Sequence, residues 1–84
     1  MFELIFDKKA GEDLEKLPKE IRERIFKKLL QTRENPFRYF EHLKEINGFK
    51  LRVGDYRIIA DIDKKEQKIK VLKAGHRKSI YENI

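Results

Sequence analysis

The chain has 84 residues, enough for one domain spanning 1–84 with a small core, and too few for a deep substrate cavity. It has no cysteine and two histidines, His42 and His76, which excludes a disulfide framework or thiolate metal site and speaks against zinc, so no metal or cofactor is expected. Net charge is +6, no charged leader precedes an apolar run, and no apolar run approaches the roughly 20 residues of a membrane span, so a cytoplasmic protein that meets no membrane is expected.

Phe2, Leu4 and Phe6 alternate with Glu3, Ile5 and Asp7, which predicts an opening strand with one apolar face. Asp7 can cap a helix from Lys8 to Lys16, where Ala10, Leu14 and Leu17 recur at helical spacing, and Pro18 ends that helix and begins the next. The second helix, from about Pro18 to Glu34, carries Ile21, Ile25, Phe26, Leu29 and Leu30 on one stripe and is supported by the i,i+4 pairs Glu20–Arg24 and Glu23–Lys27. Together they form an αα-hairpin expected to cover one side of a sheet. Asn35-Pro36 stops the second helix, and residues 37–47 have no clean period, so a loop with one helical turn is expected there. Phe37, Tyr39, Phe40 and Leu43 in that loop are packing residues or, beside a basic face, groups on which a base could stack. His42 receives no role.

The most informative stretch follows. Phe49, Leu51 and Val53 alternate with Lys50 and Arg52, Gly54-Asp55 fits a two-residue turn, and Tyr56 to Ala60 returns as a second strand. In that register Val53 faces Tyr56 and Arg52 faces Arg57, placing Lys50, Arg52 and Arg57 on one face and Leu51, Val53, Tyr56 and Ile58 on the other. Like charges across a ladder cost stability, so such a face either meets an anion or is a solvated surface with splayed side chains. A third strand, Lys68 to Ala74, is expected to pair through Asp61 and Lys68. That pairing would set Ile69 and Val71 on the apolar face, and Lys70, Leu72 and Ala74 with Arg52 and Arg57. Gly75-His76-Arg77-Lys78-Ser79-Ile80-Tyr81 reads as a strand exit into a short C-terminal helix. The fold expected is α+β, a β-α-α-β-β-β domain with the helical hairpin on one face of a mainly antiparallel four-stranded sheet. Charge is concentrated in its second half. Residues 1–49 hold 11 basic and 10 acidic side chains, a net of +1, and residues 50–84 hold 10 and 5, a net of +5, the footprint expected of a polyanion binder.

The helical hairpin ending in Asn35-Pro36, the segment Leu51-Arg52-Val53-Gly54-Asp55-Tyr56-Arg57-Ile58 and the closing Gly75-His76-Arg77-Lys78-Ser79-Ile80-Tyr81 together resemble the RelE-type toxins of the RelE/ParE toxin–antitoxin superfamily. The resemblance implies a ribosome-dependent endoribonuclease that cuts mRNA without a metal, and a RelB-like antitoxin that neutralises it. Lys50, Arg57, His76, Arg77 and Tyr81 match its functional positions, with Arg52, Lys70, Lys73 and Lys78 as RNA- and ribosome-binding residues. Metal-free RNA cleavage needs a base for the 2′-hydroxyl, cations for the phosphorane and a proton source for the leaving 5′-oxygen. Lys50, crowded by the like charges of Arg52 and Arg57, is the candidate base. Arg57 and Arg77 are candidate phosphate clamps, Arg57 with its guanidinium on the solvent face and spare for folding. His76 is a candidate acid or a turn residue, and Tyr81 stacks on the substrate or anchors the terminal helix. Ribosome-cutting members carry a second lysine shortly before the one matched by Lys50, and Gly48 stands at about that place. A ParE-like gyrase poison, or a catalytically silent antitoxin-binding relative, is the alternative.

Overall fold

In the computed structural model, which describes residues 1–44 and 47–80, the alternating N-terminal segment forms β1 (Glu3–Phe6). Asp7 caps α1 (Lys8–Glu15) as expected, its carboxylate accepting from the Lys9 backbone N–H at 3.4 Å. Pro18 is the N-cap of α2 (Lys19–Thr32), and its carbonyl accepts from the N–H groups of Ile21 and Arg22, both at 3.0 Å. The apolar stripe of α2 is narrower than its sequence suggests. Ile25, Leu29 and Thr32 are buried, whereas Phe26 is 50% and Leu30 45% exposed. Each of these two lies about 100° around the helix from its buried neighbour, and Phe26 meets the sheet only at its rim, its ring stacked on Phe6 of β1 at 6.2 Å. The chain end is tied to this helix, since Phe2 N–H donates to the Arg33 carbonyl at 2.7 Å and Arg33 Nε to the Phe2 carbonyl at 2.9 Å.

The remaining elements are α3 (Pro36–Tyr39), β2 (Glu41–Leu43), β3 (Gly48–Val53), β4 (Tyr56–Asp63) and β5 (Lys68–His76). They build a five-stranded sheet of order β1-β5-β4-β3-β2, antiparallel except for the parallel β1–β5 pair. The extra strand is β2, in the segment expected to be a loop. Three residues are too few to show a period, and what defines them is pairing with β3 through Glu41↔Lys50, His42↔Phe49 and Leu43↔Gly48. Both helices of the hairpin lie on one side of the sheet. There Ala10, Ile25 and Leu29 meet Leu51, Ile58, Ala60, Ile62, Ile69, Val71 and Ala74 in the core.

The β3–β4 hairpin has the register read from the sequence, Val53↔Tyr56 and Arg52↔Arg57, and Gly54 adopts the positive φ of +59° that its turn requires. The β4–β5 pairing does not. Asp63, not Asp61, faces Lys68, and the register then shifts at Ile59/Ala60: Ala60 faces Val71 but Ile59 faces Lys73, leaving Leu72 as the extra residue of a bulge. A single inserted residue swaps the faces beyond it. Ala74 is therefore buried in the core opposite Ile58, contrary to expectation, and Lys73 takes the outer face. Asp13 of α1 braces this bulge, accepting from the Ala74 N–H at 3.1 Å while its other oxygen pairs with Lys9. After β5 the chain turns, the Ser79 and Ile80 N–H groups donating to the His76 carbonyl at 2.9 and 3.0 Å. The terminal helix expected beyond that turn lies outside the described residues.

Candidate functional site

The sheet face away from the helices carries the basic cluster. Strand alternation sends Lys50 and Arg52 of β3, Arg57 of β4 and Lys73 of β5 to this side, in rows Lys50–Ile59–Lys73 and Arg52–Arg57–Gly75. Gly75 leaves a gap in the second row, and Ile80 fills it from the C-terminal turn, its Cδ1 standing 3.5 Å from where a Gly75 Cβ would be. Ile59 is 2% and Ile80 6% exposed, so this end of the outer face has a small apolar floor of its own.

That floor changes the status of Arg57. Expected to be solvent-facing and spare for folding, it is 8% exposed, and its Nη1 donates to the Gly54 carbonyl at 3.2 Å and the Tyr56 carbonyl at 3.1 Å. The guanidinium therefore braces the turn that precedes it. Its Nε and Nη2 donate to no protein group among the described residues. One nitrogen is anchored on the turn and the other two carry no bond to a described residue, which suits a pre-positioned oxyanion clamp. Arg77 joins it at the same turn: its backbone N–H donates to the Asp55 carbonyl at 2.8 Å, and its exposed side chain follows directly from the end of β5.

Lys50 is less crowded by cations than expected. Strand β2 places Glu41 directly across from it, and Nζ pairs with Glu41 Oε2 at 3.1 Å, the lysine side chain 19% and the glutamate 71% exposed. His76 falls on the other face. It pairs with Tyr56, one residue out of phase with Arg57, its ring 5.5 Å from the tyrosine ring in an edge arrangement and its Nδ1 accepting from the Lys78 N–H at 3.2 Å. This is the contact set of a turn residue at the rim of the helical face. Lys70 lies on the outer face beyond the bulge, opposite Asp61, and Lys78 is exposed in the terminal turn. Tyr81 lies outside the described residues. The structure thus brings together Lys50, Arg52, Arg57, Lys73 and Arg77, and sets His76 and Lys70 apart from them.

Sequence reasoning missed Arg24, Lys27 and Lys28. In sequence they belong to the polar face of α2, yet with Arg52 and Gly54 they line a groove of about 310 Å³ between that helix and the β3–β4 hairpin. The available signal was three cations at i, i+3 and i+4, one face of a helix.

The family model described as the ParE toxin of type II toxin–antitoxin systems matches residues 4–81. A chain of the RelBE2 toxin–antitoxin complex from Mycobacterium tuberculosis superposes with a TM-score of 0.84 at 26% identity, over 90% of this chain and 98% of that one. A chain of the RelB–RelE complex from Methanococcus jannaschii gives 0.75 at 28% identity, over 95% and 98%. One from the intact Escherichia coli RelBE complex gives 0.75 at 26%, over 90% and 96%. A comparison with curated proteins finds no match.

Proposed function

Since the chain belongs to the ParE toxin family of type II toxin–antitoxin systems, within the RelE/ParE superfamily, we propose that it is a ribosome-dependent, metal-independent mRNA endoribonuclease restrained by a RelB-like antitoxin. The whole of 1–84 acts as one toxin domain in this reading. The observation that carries it is the anchored Arg57 fork, with Arg52 across from it, Arg77 at the adjoining turn, and Lys50 and Lys73 one row away. Lys50, once drawn off Glu41 and with its ammonium proton given up to water, takes the proton of the 2′-hydroxyl as the neutral amine. The resulting oxygen attacks the adjacent phosphorus, Arg57 and Arg77 stabilise the equatorial oxygens, and the P–O5′ bond breaks, the 5′-oxygen taking its proton from solvent water and leaving a 2′,3′-cyclic phosphate. The ribosome supplies the positioning that a shallow face on so small a domain does not.

Two surfaces suit an antitoxin. The basic face favours an acidic segment, and an apolar groove of about 390 Å³, lined by Phe6, Gly11, Leu14 and Phe26, favours the apolar side of an amphipathic one. The relatives above were solved as complexes of RelE with RelB.

The matching family model carries the ParE name, which favours gyrase poisoning as the second reading. One experiment separates them. Purified protein is added to ribosomes programmed with a defined message, with chelator at a level that leaves the ribosomes intact, and to gyrase with supercoiled DNA. Message cleavage with little cutting of naked RNA is the expected result. Uncut message together with accumulated gyrase–DNA cleavage complexes overturns the nuclease reading.

A further inference from the structure

The groove between α2 and the β3–β4 hairpin is a second basic feature, and it adjoins the first. β2 ends opposite Gly48–Lys50, so from Leu51 to Val53 this edge of β3 has no strand neighbour among the described residues, and Arg52 stands exposed beside it. Arg24 and Lys28 face the same groove one helical turn apart, about 6 Å along the axis, with Lys27 next to them. None of the four cations has a carboxylate within ion-pair distance among the described residues. At one end, Arg24 Nη1 stands 3.5 Å from where a Gly54 Cβ would be, over the same turn whose carbonyl Arg57 holds. At the other end, Lys28 Nζ lies 5.1 Å from the centroid of the Tyr39 ring, which is 37% exposed.

We propose that this groove holds the phosphate backbone of single-stranded RNA, as a continuation of the strand engaged at Arg57 and Arg77, with Tyr39 offering a face to a flanking base. A row of cations along an open groove ending in an exposed aromatic ring is the arrangement that binds single strands without reading their sequence. An acidic peptide would meet the same charge but little to seat its side chains, since Val53 is the apolar residue among those lining the groove. The inference rests on the RNA reading of the preceding subsection and adds a binding track upstream or downstream of the cut.

The test is salt-dependent binding of the full chain to a labelled single-stranded RNA of about a dozen nucleotides, a length that spans both features. Three variants are compared with the parent: Arg24→Gln/Lys27→Gln in the groove, Lys64→Gln/Lys65→Gln in the distant β4–β5 turn, and Tyr39→Leu. Each lost phosphate contact lowers the slope of log K against log salt by about 0.7, so the groove variant should be shallower by about 1.4 and the turn variant unchanged. Tyr39→Leu should bind about fivefold more weakly or worse at the parental slope. Thermal unfolding confirms that each variant is folded, and Lys27→Glu serves alone if the double variant is not. The proposal is overturned if the parent binds no RNA at low salt, if the groove variant keeps the parental slope, or if both double variants lose slope equally. Weakened antitoxin binding at an unchanged RNA slope also overturns it, and assigns the groove to an acidic protein partner. The two readings fail separately: RNA bound with the expected slope but message left uncut on ribosomes removes the nuclease, and message cut with an unchanged slope removes the groove.

Discussion

Replacing Arg57 by alanine removes both guanidinium bonds to the turn, at 3.1 and 3.2 Å, and leaves the Gly54 and Tyr56 carbonyls without that donor. Hydrogen bonds from a charged donor contribute about 1.5–3 kcal/mol, and relief of the Arg52–Arg57 repulsion returns only a few tenths. The expected net loss is about 1.5–3 kcal/mol, which in a domain of this size lowers Tm by about 6 °C or more. A domain of ordinary stability, about 5–15 kcal/mol, stays folded at 25 °C after such a loss, so cleavage can be measured on the same sample. Single-turnover cutting on programmed ribosomes should fall about a hundredfold to a thousandfold with the phosphate contact gone. Arg57→Lys separates the two roles, since it keeps the charge but not the fork: it should retain more cleavage than alanine while losing much of the turn bracing. An alanine variant melting within about 2 °C of the parent would refute the structural half of this reasoning. One that cuts at the parental rate would remove Arg57 from the site.

Three further outcomes follow from contacts elsewhere. Asp13→Ala strips the acceptor from the Ala74 N–H at the bulge and should cost about 1.5–3 kcal/mol in denaturant unfolding, with Asp13→Asn losing less; equal stability of parent and alanine variant would mean the bulge needs no brace. The hydrogen bond from Lys9 to Asp13, and then the carboxylate charge, raise the Lys9 pKa above its ordinary value. The pair's contribution is therefore complete below the unfolded-lysine pKa, near 10.4, and is lost as pH rises through the higher folded value. Thermal scans in that alkaline window should show parent stability converging on that of Lys9→Met, and parallel curves would contradict it. Glu41→Gln frees Lys50 and should cost no more than about 1 kcal/mol of stability while raising cleavage by up to about fivefold, the equivalent free energy; an unchanged rate would speak against Lys50 as the base.

The elements legible in the sequence were those whose signal is local. Alternation in Phe2–Phe6 and Phe49–Val53, the Asp7 cap, Pro18 and the Gly54 turn each act within a few residues, and each appears where it was expected. What escaped depends on pairing. β2 is three residues made a strand by β3, and the Leu72 bulge is one residue whose presence shows only when β4 and β5 are laid side by side. Neither has a period to read. The bulge nonetheless decides chemistry, because it moves Lys73 to the outer face and Ala74 off it.

At the site, alternation gave the correct face for Arg57 and the wrong environment, because a face is a property of one strand and burial is a property of whatever crosses it. Ile59 was the readable sign. It lies between Arg57 and Asp61 on the side taken to be solvated, and an isoleucine there asks for cover, with Ile80 the nearest apolar residue in the closing segment that could supply it. Ile80 does sit on this side, over Gly75, the residue paired with Arg57, and the turn that Arg57 holds through Gly54 and Tyr56 is also held by the Arg77 N–H through Asp55. The Leu51–Ile58 signature and the Gly75–Tyr81 signature are therefore not two motifs that happen to meet. The second supplies the roof under which the first holds its arginine, so the turn bonds of Arg57 stand or fall with the seating of Ile80. An Ile80→Ala change, at the Gly75 end of the row that holds Arg57, should therefore lower Tm as Arg57→Ala does, and a Tm within about 2 °C of the parent would show that Arg57 holds its turn without that cover.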